Sequence, residues 1–410
     1  MIKRGRKSSV TVRYALPRVY FVLGAVICGL VATFLMMNVI RQNPKTAEFW
    51  TAHIERGYEH VVGVLTSWIP VSVFELFFCI MIGSGIFLLV RLVVNLCRAN
   101  FTRILLGALS LGTAAMYILN MYMLSMGFGY FRADMPIAQA GADYEAERVA
   151  TVARYFLDDY NNLSRTLKRD GNGEVVLPYS YRELSKIMQQ EYARLGGDYF
   201  FSYTPKGKPI INSYVLSALS ITGITFLPVG ESTINIAAPK TYGTFTLAHE
   251  LAHAKGVQRE GDANLIAQYI LVSSDNDYLR YCGYFASMNN LLAAVELAGD
   301  SDEYRRLVAG IDALVRVEKR YDYEYWMAQP DIVGEISEFF NNLYLMFNGA
   351  DNGTGSYDDG EQMEVIPPPV NPDTGEVLPD PDTGEPQKPK PVYSALQKMY
   401  FAVYESKFGA

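Results

Sequence analysis

Three long apolar runs crowd the first 128 residues, and they limit the chain to folds that shield them from water. They cover residues 17–40, about 71–94, and 104–128. Only Arg18 and Asn38 interrupt the first, Glu75 and Arg91 lie near the ends of the second, and the third has no charge. About 20 apolar residues suffice for a helix to cross the roughly 30 Å hydrocarbon core of a bilayer. A signal peptide or a buried core helix could explain one such run, but not three in close succession, and no small-residue cleavage site follows the first. The sequence therefore predicts a membrane domain over 1–128 with three transmembrane helices.

Charge sets an expected orientation. Lys3, Arg4, Arg6, Lys7, Arg13 and Arg18 crowd the start, while Arg91, Arg98 and Arg103 surround the link between the second and third runs. Cytoplasmic segments carry such excesses, so three crossings place everything after Phe128 outside the cytoplasm. The link at 41–70 spaces Phe49, Trp50, Ile54, Val61, Val62, Leu65 and Trp68 among charges. This pattern suits a helix on the membrane surface, with an ordinary connecting loop as the alternative. Residues 1–128 carry a net charge of +8 and the remainder −15. An acidic outer part excludes nucleic acid as a partner, because a phosphate backbone requires a basic surface. Cys282 is the only cysteine in that part, so an internal disulfide cannot form there and stability must come from a packed core.

The outer part reads as an α+β domain, mostly helical, with a small β-sheet. Helical spacing covers 143–170 and 179–195. Residues 210–227 are strand-forming, at least in their later half. Residues 232–238 (STINIAA) alternate polar and apolar side chains as an exposed strand would. A helix begins near Thr244 and Gly256 breaks it. Another runs from about Glu260 to Val272, and further helices lie near 278–299, 301–328 and 331–348. The outer domain is expected over 129–350. A Pro-rich acidic insertion or linker at 351–391 repeats Pro-Asp-Thr-Gly-Glu at 372–376 and 381–385, and a C-terminal helix lies within 392–410.

The chemistry concentrates at His249-Glu250-Leu251-Ala252-His253, an H-E-x-x-H motif. Residues four apart share a helix face, so both imidazoles can reach one zinc ion, and a catalytic zinc takes a third protein ligand plus water. Glu250 lies where a general base would take a proton from that water. Gly256 lets the chain turn back, offering Glu260 or Asp262 as the third ligand. The chain has four histidines and the outer part has only this pair; His53 and His60 are expected to be structural or interfacial. A transition state needs a further donor, for which Arg280, Tyr281 and Tyr284 are candidates. The alternating strand, through Thr233, Ile234 and Asn235, is a candidate edge strand that would hold an extended peptide by main-chain pairing.

At these residues the chain resembles the gluzincin peptidases, in which H-E-x-x-H is followed by E-x-x-A-[D/N], here Glu260-Gly-Asp-Ala-Asn264. The resemblance implies a zincin-like fold, makes 129–350 a metallopeptidase domain, and gives Glu260 as the third ligand and Asn264 as its supporting partner. The chain also looks like a family of multi-pass bacterial membrane proteins grouped with metallopeptidases by this motif. That likeness rests on Met126–Arg132, Gly223–Glu231, Tyr278–Tyr284, Tyr344–Gly349 and Gly355-Ser-Tyr357. The chain departs from that pattern in the Phe-Gly before its aromatic pair and in the Pro-rich stretch at 366–391. The leading expectation is a membrane-anchored zinc peptidase acting on peptide or protein substrates outside the cytoplasm. A non-catalytic, metal-stabilised membrane sensor and a cell-wall peptide amidase are the alternatives.

Overall fold

The computed structural model describes residues 8–135, 144–371, 374, 376–379, 384–387 and 389–408. Lys3, Arg4, Arg6 and Lys7, the start of the expected 143–170 helix, and much of the doubled Pro-Asp-Thr-Gly-Glu lie outside the described residues. Two units form. One comprises the chain up to Ala133 together with Phe226–Glu231, and the other comprises Asp134–Thr225 with Ser232 onward.

The first unit is helical: α1 (Ser8–Ile40), α2 (Pro44–Trp50), α3 (Arg56–Ser67), α4 (Val73–Cys97) and α5 (Phe101–Tyr122). Val19–Ile40, Val73–Cys97 and Phe101–Gly127 are long and apolar enough to cross a membrane, and their apolar windows are not covered by protein. They match the three runs seen in the sequence. α5 packs against α1 and α4, and Asn120 Nδ2 donates to the Leu30 carbonyl at 2.9 Å. Single π-helical turns, Thr51–Glu55 and Met123–Gly127, continue α2 and α5. The 41–70 link is helical and turns its apolar side chains outward. Phe49, Val61, Leu65 and Trp68 are exposed, whereas Glu55 and Glu59 are buried. Glu55 Oε1 accepts the Phe128 N–H at 3.0 Å, and burial pushes its carboxyl up to about 7. The turn 226–231 belongs to this unit. Glu231 accepts from the Phe74 N–H (3.0 Å) and the Ser72 hydroxyl (3.2 Å) at the start of α4, and Tyr58 donates to the Pro228 carbonyl.

The second unit contains α6 (Ala146–Thr166), α7 (Tyr181–Tyr192), β1 (Gly207–Ile210), α8 (Ser213–Ala218), β2 (Gly223–Phe226) except Phe226, and β3 (Glu231–Asn235) except Glu231. After these come α9 (Lys240–Ala254), α10 (Glu260–Val272), α11 (Asp277–Leu297), α12 (Ser301–Gly310), α13 (Ala313–Met327) and α14 (Asp331–Phe347). β4 (Glu364–Ile366), β5 (Lys390–Val392) and α15 (Ala395–Phe408) complete it. The class is α+β, mostly helical with small sheets. The core is helix on helix: α11 packs against α6, α9, α10 and α15. α9 is buried on every side from Thr244 to Ala254, as a helix apolar all round must be. Cys282 is buried and unpaired. β4 and β5 pair antiparallel, Glu364 opposite Val392, and so close the base of the Pro-rich excursion.

One strand expectation is met only in its later half, and another needs correction. The first half of 210–227 is the short helix α8, in which the Ser213 hydroxyl turns back to the Ile210 carbonyl; only the second half extends, as β2. The residues proposed as an edge strand, Thr233, Ile234 and Asn235, lie in the central strand of a sheet ordered β1-β3-β2, and all five β3 residues are buried. Polar alternation here marks an internal network rather than a solvent face. Ser232 donates to the Glu250 carbonyl (3.0 Å), Thr233 to the Ile224 carbonyl (2.8 Å), and Asn235 to Ser217 (2.9 Å) and the Ile221 carbonyl (3.0 Å).

Candidate metal centre

α9 supplies both imidazoles from one face, and the α9–α10 turn supplies the carboxylate. Gly256 takes φ +88°, and a Cβ there would meet the Phe201 ring at 2.7 Å, so glycine suits this corner on two counts. The corner leaves the Val257 carbonyl 2.8 Å from His253 Nδ1. Gln258 donates to the His253 carbonyl at 2.9 Å and closes the end of α9. α10 then opens with Glu260. Asp262, the competing carboxylate, pairs with Arg259 at 2.7 Å, which leaves Glu260 for the histidines.

Three ligand atoms converge. His249 Nε2 and His253 Nε2 are 3.1 Å apart, and Glu260 Oε2 lies 3.2 Å from the first and 3.3 Å from the second. All three residues are buried, at 8 %, 7 % and 5 % exposure. Four ligands tetrahedral about an ion at about 2.0–2.1 Å would be separated by about 3.3–3.4 Å. The other ring nitrogens fix what these atoms offer. His253 Nδ1 faces a carbonyl, which can only accept, so that nitrogen carries the proton. Asn264, expected to support Glu260, instead faces His249: its Oδ1 lies 2.8 Å from His249 Nδ1, and its Nδ2 donates to the Tyr357 carbonyl at 2.9 Å. With both rings neutral, the Nε2 atoms present lone pairs toward a carboxylate oxygen that accepts no well-formed hydrogen bond among the described residues. Such a cluster calls for positive charge. Burial opposes ionisation of Glu260, but His253 and His249 hold its carboxyl down to about 2; burial opposes charge on His253, but Glu260 pushes it up to about 9. The donor set, two imidazole nitrogens and one carboxylate oxygen, suits zinc. Among the described residues this is the group of metal-ligating side chains that converges.

Glu250 follows His249 and is buried, and burial raises its carboxyl above the usual range. Its carbonyl accepts from Thr225 (2.7 Å) and Ser232 (3.0 Å). Its side chain lies against the backbone of Gly223, where a Cβ would fall 2.8 Å from both Cγ and Oε1. The edge strand beside Glu250 is therefore β2.

The expected transition-state donors lie elsewhere. Arg280 pairs with Asp159 (3.1 Å) and Asp277 (2.8 Å), and Tyr284 donates to Asp159 at 2.9 Å. Tyr281 donates to Glu318 and receives Arg169 at 2.9 Å. All three tie α11 to its helical neighbours. The aromatic residue beside the cluster is Tyr357, in the 3-10 turn Gly353–Asp358. Its ring centroid is 6.2 Å from that of His249, and Asn341 hydrogen-bonds its phenol. The sequence held one signal for it, Gly355-Ser-Tyr357 among the segments shared with the bacterial membrane family. His53 stacks on Phe49 in the first unit, a packing role.

The fold and the cluster define a class: an α+β chain with three helices able to cross a membrane and a buried His-His-Glu group able to hold a metal ion. Within it, the chain belongs to the family described as protein of unknown function DUF3810, whose family model matches residues 50–361. The matched stretch includes the whole cluster and Tyr357, runs into the segment expected as a linker at 351–391, and stops before β4. No curated protein and no solved structure matches the chain.

Proposed function

We propose that this protein is a membrane-anchored zinc peptidase of gluzincin type. The observation that carries the reading is the convergence of two imidazole Nε2 atoms and one carboxylate oxygen, 3.1–3.3 Å apart, beside the Glu250 carboxylate. Zinc held there would act as a Lewis acid and lower the pKa of water toward about 7. Glu250 takes the proton from the attacking water and delivers it to the leaving amine, a role that its apolar burial favours. Asn264 keeps the His249 ring in register and its Nε2 unprotonated. Tyr357 donates a hydrogen bond to the carbonyl oxygen as negative charge develops on it. The substrate is an extended peptide laid along β2, with Gly223 leaving room for the Glu250 carboxylate. The positive links at the N-terminus and at Arg91–Arg103, with an odd number of spans, favour an extracytoplasmic site.

The test uses the full chain purified in detergent. We expect about one zinc per chain, loss of that zinc in His249→Ala, and cleavage of an unfolded protein such as casein by the parent. Glu250→Gln should keep the zinc and lose cleavage by at least about a hundredfold. A Gln variant that cleaves as well as the parent removes Glu250 as the base. Bound zinc with no cleavage by the parent favours the metal-stabilised sensor.

A further inference from the structure

A cavity of about 240 Å³, apart from the metal centre, opens beside α6, α11 and α13. Phe285, Met288 and Ile311 give it an apolar wall. Tyr160 also lines it. That residue is 1 % exposed, and its hydroxyl has no hydrogen-bond partner among the described residues. Buried polar groups almost always find partners, so an orphaned hydroxyl at a cavity points to an occupant that supplies one.

Two cations line the same space. Lys319 donates to the Phe285 carbonyl and sits 4.0 Å from the centroid of that ring. The Arg316 guanidinium donates to the carbonyls of Val308 (3.0 Å), Ala309 (2.8 Å) and Ile311 (3.2 Å). These backbone contacts hold both groups in place but neutralise neither. The neighbouring Glu318 carboxylate is engaged by Arg169 at 2.6 Å. No carboxylate within 4.0 Å pairs with Lys319 or Arg316 among the described residues, and Asp322 and Glu318 act on Lys319 only at longer range.

We infer that this cavity binds a small amphipathic carboxylate, its apolar body against Phe285 and Met288 and its carboxylate between Lys319 and Arg316, with the Tyr160 hydroxyl as a further donor. Apolar walls with a few converging polar groups are the usual make-up of a small-molecule site, and charge-assisted bonds fix the orientation. The site does not depend on peptidase chemistry.

The test is saturation-transfer NMR on the full chain in detergent, with benzoate as the probe and benzylammonium and benzyl alcohol as controls. Benzoate should show saturable transfer and benzylammonium none. Lys319→Met and Arg316→Gln should each weaken benzoate by about tenfold, and Met288→Trp should abolish binding by filling the cavity. Arg316 is exposed, so its variant should fold even if Met288→Trp does not. No benzoate transfer to the parent, equal transfer to benzylammonium, or undiminished binding by Arg316→Gln and Lys319→Met would overturn the inference.

Discussion

Asn264 shows how a single side chain can decide whether a metal cluster is preorganised. Its amide has two ends, and each is committed: Oδ1 to His249 Nδ1 and Nδ2 to the Tyr357 carbonyl. The first contact selects the ring tautomer that leaves Nε2 as a ligand, and the second ties the Tyr357 turn to the same ring. Partners of metal-bound imidazoles typically contribute about 10–100-fold in affinity. We therefore expect Asn264→Ala to weaken zinc by that factor in chelator competition, whereas Asn264→Asp, which still accepts from Nδ1, should lose less. Equal affinity in the Ala variant would show that the cluster does not need this support. None of this follows from an isolated histidine in a sequence. The i, i+4 spacing puts two rings on one face, but which nitrogen points inward depends on Val257 and Asn264, which only the folded chain brings into place.

At the scale of elements, legibility followed the kind of signal. The three long apolar helices and α9 are legible in the sequence because length and periodicity are local properties. β3 was misread because its Ser, Thr and Asn side chains satisfy buried partners in α8, β2 and α9, and pattern alone cannot separate that from a solvent face. Tyr357 was not singled out because it reaches the cluster only through tertiary packing, and Arg280, Tyr281 and Tyr284 were drawn to α6 and α13 by acidic partners far away in sequence. α9 carries a further device. Its N-terminus has no side-chain cap of its own, and Glu174 takes its place, accepting from the Lys240 and Thr241 N–H groups. Burial pushes the Glu174 carboxyl from 4.5 up to about 7, against the pull of those N–H groups. Because the folded value lies above the unfolded one, the folded state binds the extra proton. The stability this group contributes is full below about 4.5 and is lost as pH rises through about 7. Glu174→Gln mimics the protonated form, so its melting temperature should fall less than that of the parent between pH 5 and pH 8. Parallel pH profiles for the two proteins would remove Glu174 as the source.

At the scale of the whole molecule, the distribution of apolar surface matters most. A water-exposed helix buries its apolar stripe and shows its charges. The 41–70 segment does the reverse: Phe49, Val61, Leu65 and Trp68 stand outward, Trp68 at 83 % exposure, while Glu55 and Glu59 are enclosed. Apolar area costs about 25 cal/mol for each Å² left in water, so four large side chains facing outward are stable only where the surroundings are themselves apolar. The three candidate spans show the same outward apolar surface. Both features are those expected of a segment lying at a bilayer surface, where indole rings concentrate. Trp68 can be observed separately, since the chain has only three tryptophans. With Trp50→Phe and Trp326→Phe in one protein reconstituted into vesicles, its emission should be quenched by lipids brominated near the headgroup and largely spared by aqueous acrylamide. The opposite pattern would put the segment in water and require another cover for its apolar face.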